Sequence, residues 1–182
     1  LGSELAYIAN TTGKLPALLA LDLSDYTRAE GSRRGVWRHA AVKHGIDWYN
    51  SKHGVVAFCW HWSPPIGERS AYAKDTNFDL QRAVTDGTEE HTAALRDLDA
   101  IAGELALLRD AHVPALWRPL HEANGRWFWW GAQGPEPFKK MWRLMFERFT
   151  IRHKLNNLIW VFSPGSSTDL ADWYPGDEYV DI

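Results

Sequence analysis

The strongest constraint on this chain is a repeated change of hydrophobic period. Short, nearly continuous apolar runs alternate with longer segments whose apolar residues recur at helical spacing. The runs are PALLALDL over 16–23, VVAFCWHW over 55–62, PALWRPL over 114–120 and LIWVFS over 158–163; a fifth, YVDI, begins at Tyr179. A strand that is apolar at almost every position must be covered on both faces, as in a parallel sheet with helices over it. The segments between the runs supply those helices. Asp86, with Glu89 three residues on, predicts a capping box, and Leu95, Leu98, Ile101, Ala102, Leu105 and Leu108 follow as one apolar stripe. Gly134-Pro135 and Pro137 punctuate the next start, where Phe138, Met141, Trp142, Met145, Phe146 and Phe149 repeat the pattern. A weaker helix is expected from about Val36 to Ser51. Strand and helix in alternation predict an α/β fold. With 182 residues and no internal repeat, residues 1–182 read as a single domain.

The second run is the most specific. Its alternate residues Val55, Ala57, Cys59 and His61 are small and end in a polar group, while Val56, Phe58, Trp60 and Trp62 are bulky. In a barrel one such set faces the interior and the other faces the helices. Assigning the small set inward puts His61 at the C-terminal end of a strand, where barrel active sites lie. After it, Ser63 to Thr85 is long, polar and broken by Pro64-Pro65, as functional or disordered loops are.

Composition closes several alternatives. A formal net charge of -3 gives no basic footprint for nucleic acid. No apolar run reaches the roughly 18 residues needed to span a bilayer. Cys59 is the only cysteine, so no internal disulfide can form. Leu1 is not an initiator Met, and no signal peptide is visible. Asn10-Thr11-Thr12 fits a glycosylation sequon. Tryptophan is the outlier, with eleven residues. An indole offers a flat apolar face and one N–H donor, which suits both an aromatic core and the C–H face of a sugar ring. Core packing is the expectation for Trp142 and Trp160.

Clustering points to chemistry at RPLHEANGRWFWWG, residues 118–131. The segment leaves a strand for a loop, and strand alternation would put Arg118, Leu120 and Glu122 on one face. A carboxyl at a barrel mouth, beside His121 and followed by Trp127, Phe128, Trp129 and Trp130, has the makings of a sugar-cleaving acid. Neighbouring aromatics raise a carboxyl pKa by desolvation, as a general acid requires. The competing account is an Arg118–Glu122 ion pair at a strand end with the aromatics merely packed around it.

The segment resembles the strand-four signature of glycoside hydrolase family 26, the β-mannanase family, including its His-Glu pair. FCWHWSPP over 58–65 resembles the strand-three motif of that family, and NNLIWVFSP over 156–164 and DWYPGDEYVDI over 172–182 resemble its strand-five and strand-six regions. The resemblance implies a (β/α)8 TIM barrel, incomplete here, with strands two to six present and the domain truncated at both ends. It implies a retaining endo-β-1,4-mannanase acting on mannan-type hemicellulose, with Glu122 as general acid/base. His61, His121, Trp127, Arg118 and Trp130 would bind substrate, with Trp129 and Trp62 left to packing. The nucleophilic Glu would lie on strand seven, beyond Ile182, so residues 1–182 alone are expected to be inactive. The alternatives are another specificity, β-1,3-xylan or mixed-linkage glucan, or an inactive sugar-binding fragment. No cofactor is implied, and no metal: there is no HExxH, and linear spacing gives His61 and His121 no ligand set. The partner expected is a polysaccharide, not nucleic acid or a membrane, for a monomer that is secreted or on the cell surface when full length.

Overall fold

Four of the five apolar runs carry a strand. The computed structural model describes residues 2–24, 26, 40–68, 70–165 and 168–182. Helix α1 (Gly2–Thr12) precedes β1 (Leu18–Asp22), and α2 (Ala40–Lys52) leads to β2 (Val55–Cys59). Helices α3 (Leu80–Ala83) and α4 (Glu89–Asp110) cross to β3 (Ala115–Arg118). Then α5 (Trp129–Ala132), α6 (Pro135–Glu147) and a π-helical turn over Arg148–Arg152 lead to β4 (Leu158–Trp160), and α7 (Leu170–Trp173) follows. The strands pair in chain order, all parallel. Register aligns Asp22 with Cys59 and Cys59 with Arg118, so three strand ends finish side by side.

The two faces of the sheet divide as the alternation in the second run predicts. Val56, Phe58, Trp60 and Trp62 are buried under the helices, whereas Ala57, Cys59 and His61 are half-buried and Val55 is 48% exposed. Close packing explains the helix side. A Cβ on Gly45 of α2 would come within 2.7 Å of the Phe58 ring, so only glycine lets α2 approach β2 this closely. The α4 stripe Leu98, Ile101, Ala102, Leu105 and Leu108 and the α6 stripe Phe138, Met141, Trp142 and Met145 complete the core, with Trp160 of β4 packed against Trp142 and Phe149. Leu95 and Phe146 sit at the margins of those stripes, partly buried.

Three expectations need correction. The cap of α4 is Thr88, not Asp86. Its side chain accepts from the His91 amide at 3.1 Å, because the turn at Gly87 (φ +81) delays the helix, while Asp86 pairs with the His91 ring instead. The fifth run forms no strand of its own. Asp177–Tyr179 is a 3-10 turn, and beyond it the Asp181 and Ile182 amides donate to the Trp160 carbonyl, alongside β4. The polar stretch from Ser63 to Thr85 is not structureless: it holds a 3-10 turn at Ala73–Asp75 and α3, and bridges Tyr72 to Phe128. The first part of the helix expected from Val36 lies outside the described residues. Among the described residues no helix is long and apolar enough to cross a membrane.

Candidate active site

The site is assembled where the strands end. Asp22 is the last residue of β1, and its carboxylate reaches across to the segment after β2. Its Oδ1 accepts the backbone N–H groups of Ser24 (2.9 Å) and His61 (3.1 Å), and its Oδ2 lies 2.5 Å from His61 Nδ1. The other nitrogen of that ring, Nε2, meets His121 Nε2 at 3.2 Å, with the two rings edge to face. His121 is only 2% exposed, and its carbonyl accepts the Trp130 indole N–H at 3.0 Å. Its Nδ1 is buried with no hydrogen-bond partner among the described residues. Burial first, then the Arg118 guanidinium and the neighbouring His61 ring, push the His121 pKa down to about 4 against the pull of Asp22. His121 is therefore a neutral ring at physiological pH.

Glu122 reaches the strand ends by a route that simple alternation misses. β3 stops at Arg118, and Leu120 (φ 47) and Glu122 (φ 57) then adopt left-handed backbone, as does Arg126 (φ 60). Non-glycine residues rarely hold that conformation unless their surroundings fix it, and such strain clusters at active sites. At Glu122 the segment after β4 does the fixing. The Glu122 amide donates to the Ser163 carbonyl at 2.8 Å, and the Arg118 guanidinium donates to the Ser163 hydroxyl at 3.2 Å. Arg118, Leu120 and Glu122 thus do not share a face: Leu120 is buried, while Arg118 and Glu122 are half-buried. Nor do Arg118 and Glu122 form an ion pair among the described residues. The Glu122 carboxylate makes no hydrogen bond to any described residue and is left free to meet a ligand.

The aromatics sort into two groups. Trp127 is 44% exposed, and of the described tryptophans it alone is open to solvent. Its ring lies over Gly125, where a Cβ would fall 1.9 Å from it, and near Gly165, which Asn124 holds through two hydrogen bonds. Phe128 packs edge-on against both His61 and His121 and stacks on Trp130 at 4.4 Å. Trp130, expected to face sugar, is instead fully buried and braces the His121 backbone from behind. Trp129 and Trp62 are buried as expected, the first donating to the Trp62 carbonyl and the second to Asp97.

The geometry therefore gathers Glu122, His121, His61, Arg118 and Trp127 at one end of the sheet, and excludes Trp130 from its surface. It adds two residues that sequence reading missed. Asp22 was hidden because its partner is 39 residues away. Tyr72, 49% exposed, packs against Phe128 from a segment hydrogen-bonded to the 127–129 backbone. The fold also gives His61 the neighbours that linear spacing denied it: ligand atoms of Asp22, Cys59 and His61 lie within 4.8 Å of one another. Two features argue against a cation there. The Asp22–His61 hydrogen bond already joins two of the three, and burial, reinforced by the Asp22 charge, pushes the Cys59 thiol up to about 11, away from the thiolate that binds metals.

Comparison with known proteins converges on one group. The family model of glycosyl hydrolase family 26 matches residues 2–182. A mannan endo-1,4-beta-mannosidase of Thermothelomyces thermophilus is 43% identical over 97% of the chain. The crystal structure of a Podospora anserina GH26-CBM35 beta-(1,4)-mannanase superposes with a TM-score of 0.88 at 43% identity, covering 99% of this chain and 41% of that one. A beta-mannanase from a symbiotic protist of the termite Reticulitermes speratus, solved with gluco-manno-oligosaccharide, gives 0.87 at 40% identity, over 98% of this chain and 57% of that one. The chain spans 37% of the length of the Thermothelomyces relative.

Proposed function

The chain belongs to glycosyl hydrolase family 26, and on that premise we propose that the whole protein is a retaining endo-β-1,4-mannanase with Glu122 as its general acid/base. Its four parallel strands and covering helices are a portion of a (β/α)8 barrel. In such barrels the chemistry sits at the C-terminal ends of the strands. The observation that carries the proposal is the Glu122 carboxylate, unpaired among the described residues, on a strained loop at one of those ends, beside a neutral His121 and the exposed Trp127.

A carboxylate from a later strand attacks the anomeric carbon of a mannosyl unit, and the C–O bond to the leaving sugar breaks as Glu122 gives its proton to that oxygen. The resulting glycosyl-enzyme is then hydrolysed by a water that Glu122, now a carboxylate, deprotonates. Retention needs the two carboxyl groups about 5–5.5 Å apart. Asp22 does not suit the attacking role, because both its oxygens are already engaged by His61 and backbone amides. Trp127 offers the C–H face of the sugar a flat apolar surface, and Arg118 contributes positive charge at the mouth. The substrate is a polymer, so the proposed place of action is outside the cell, and the proposed form a monomer.

The test is Glu122→Gln in the full-length enzyme. Hydrolysis of mannan should fall by about 10²–10⁴-fold with the fold intact, whereas an aryl mannoside with an activated leaving group should keep most of its glycosylation rate. Equal losses on both substrates would remove Glu122 from the acid role. Side-by-side rates on mannan, β-1,3-xylan and mixed-linkage glucan decide the specificity, with mannan expected to lead.

A further inference from the structure

A row of hydrogen bonds crosses the C-terminal ends of the strands from β1 to the loop after β3: Asp22 to His61, and His61 to His121. The mechanism above uses the end of this row and leaves its beginning without a role. The Asp22 carboxylate is held by main chain from two strand ends, since Oδ1 takes the amides of Ser24 and His61. That leaves Oδ2 aimed at His61 Nδ1. A carboxylate only accepts, so Nδ1 must carry the proton. The far nitrogen, Nε2, then faces His121 Nε2, and a contact at 3.2 Å between two ring nitrogens is favourable only with one proton between them. His121 is buried beside the Arg118 cation, and its backbone is fixed by Trp130.

We propose that Asp22 is a positioning residue for this site: it holds His61 with its proton on Nδ1 and a lone pair on Nε2, and that lone pair takes the Nε2–H of His121, fixing the ring immediately before Glu122. The proposal deepens the mannanase reading and rests on it for its kinetic consequence, though not for its structural one. Asp22 itself need not touch the sugar. It acts by deciding which nitrogen of each ring carries a proton, and a wrong choice would place two N–H groups head to head.

The informative variant in the full-length enzyme is Asp22→Asn. Its amide oxygen can still take the two backbone N–H groups, so the fold should survive. Its NH2 group, however, would face His61 Nδ1 and demand the opposite tautomer. With mannan as substrate, kcat should fall about 10–100-fold with KM within about threefold, as expected for misplacement without loss of binding. Thermal stability should change little. His61→Ala should lose a similar factor, and Asp22→Ala combined with His61→Ala should lose no more than His61→Ala alone. In ¹⁵N spectra of histidine-labelled enzyme, wild-type His61 should show a protonated Nδ1 and a bare Nε2, and Asp22→Asn should reverse them. Independent, additive losses in the double variant, or an Asn variant with wild-type kcat, would overturn the proposal. So would a wild-type His61 with a bare Nδ1 or with both nitrogens protonated. The spectra require no turnover: an enzyme that failed to cleave mannan would end the mannanase reading while the proton placement was still decided.

Discussion

Trp127 and Trp130 stand three positions apart in one aromatic run and do opposite work. One is exposed over Gly125; the other is fully buried with its N–H on the His121 carbonyl. Their truncation should therefore separate cleanly. Trp127→Ala removes a platform that only a bound sugar covers, so kcat/KM on mannan should fall at least about tenfold, or about 1.4 kcal/mol, with little change in Tm. Trp130→Ala leaves a cavity under the site and an unmet carbonyl, and should cost about 3–5 kcal/mol of stability. Matched kinetics and melting curves of the two variants check both. In sequence Trp130 groups with Trp127, and only Trp129 of the run is left to packing; the strand stops at Arg118 and the loop turns left-handed at Leu120 and Glu122, which breaks the alternation that would have sorted them. Glu122 and His121 were legible from their motif, and His61 from its place at a strand end. Asp22 was not, because an aspartate closing an apolar run says nothing about a histidine on the next strand.

At the scale of elements, α4 meets the segment after β2 through a buried charge. Asp97 is 4% exposed and accepts the Trp62 indole N–H at 3.0 Å. Burial, opposed by that hydrogen bond and by Arg96, pushes its pKa up from 3.8 to about 6. The folded state thus holds the proton more tightly than the unfolded chain. The stabilisation is complete below about pH 3.8 and is lost as pH rises towards about 6, a difference of roughly 3 kcal/mol across that window. Asp97→Asn keeps an acceptor for Trp62 and removes the charge, and Arg96 is exposed enough to stay hydrated. The variant should match or exceed wild type in Tm at pH 7 and lose the decline between pH 4 and pH 6; thermal melts at stepped pH would detect it. The α4 and α6 stripes were readable because burial follows the 3.6-residue period. Helix ends were less so: one left-handed glycine at position 87 shifted the cap from Asp86 to Thr88.

For the whole molecule, the decisive feature is the asymmetry of the sheet. One face lies under α2, α4 and α6; the other presents Leu18 (43% exposed), Val55 (48%) and Ile159 (37%), on three different strands. These are barrel-interior positions, and in a closed barrel they pack against side chains from other strands. β1 and β4 also end the described sheet, each with one unpaired edge along most of its length, and open parallel edges favour association. Residues 1–182 expressed alone should therefore give low soluble yield, bind a hydrophobic dye and melt without cooperativity, and should not hydrolyse mannan, since the mechanism proposed above needs a second carboxylate. Val55→Thr distinguishes this account from general instability. It replaces an exposed methyl by a hydroxyl of similar shape, so it should raise the soluble yield of residues 1–182. In the full-length enzyme the same change buries the hydroxyl and should cost about 1–3 kcal/mol. Opposite signs in the two contexts are the expected result. A cooperatively melting, monomeric and active 182-residue protein, indifferent to Val55→Thr, would mean that the open face needs no partner and that the attacking carboxylate lies within this sequence.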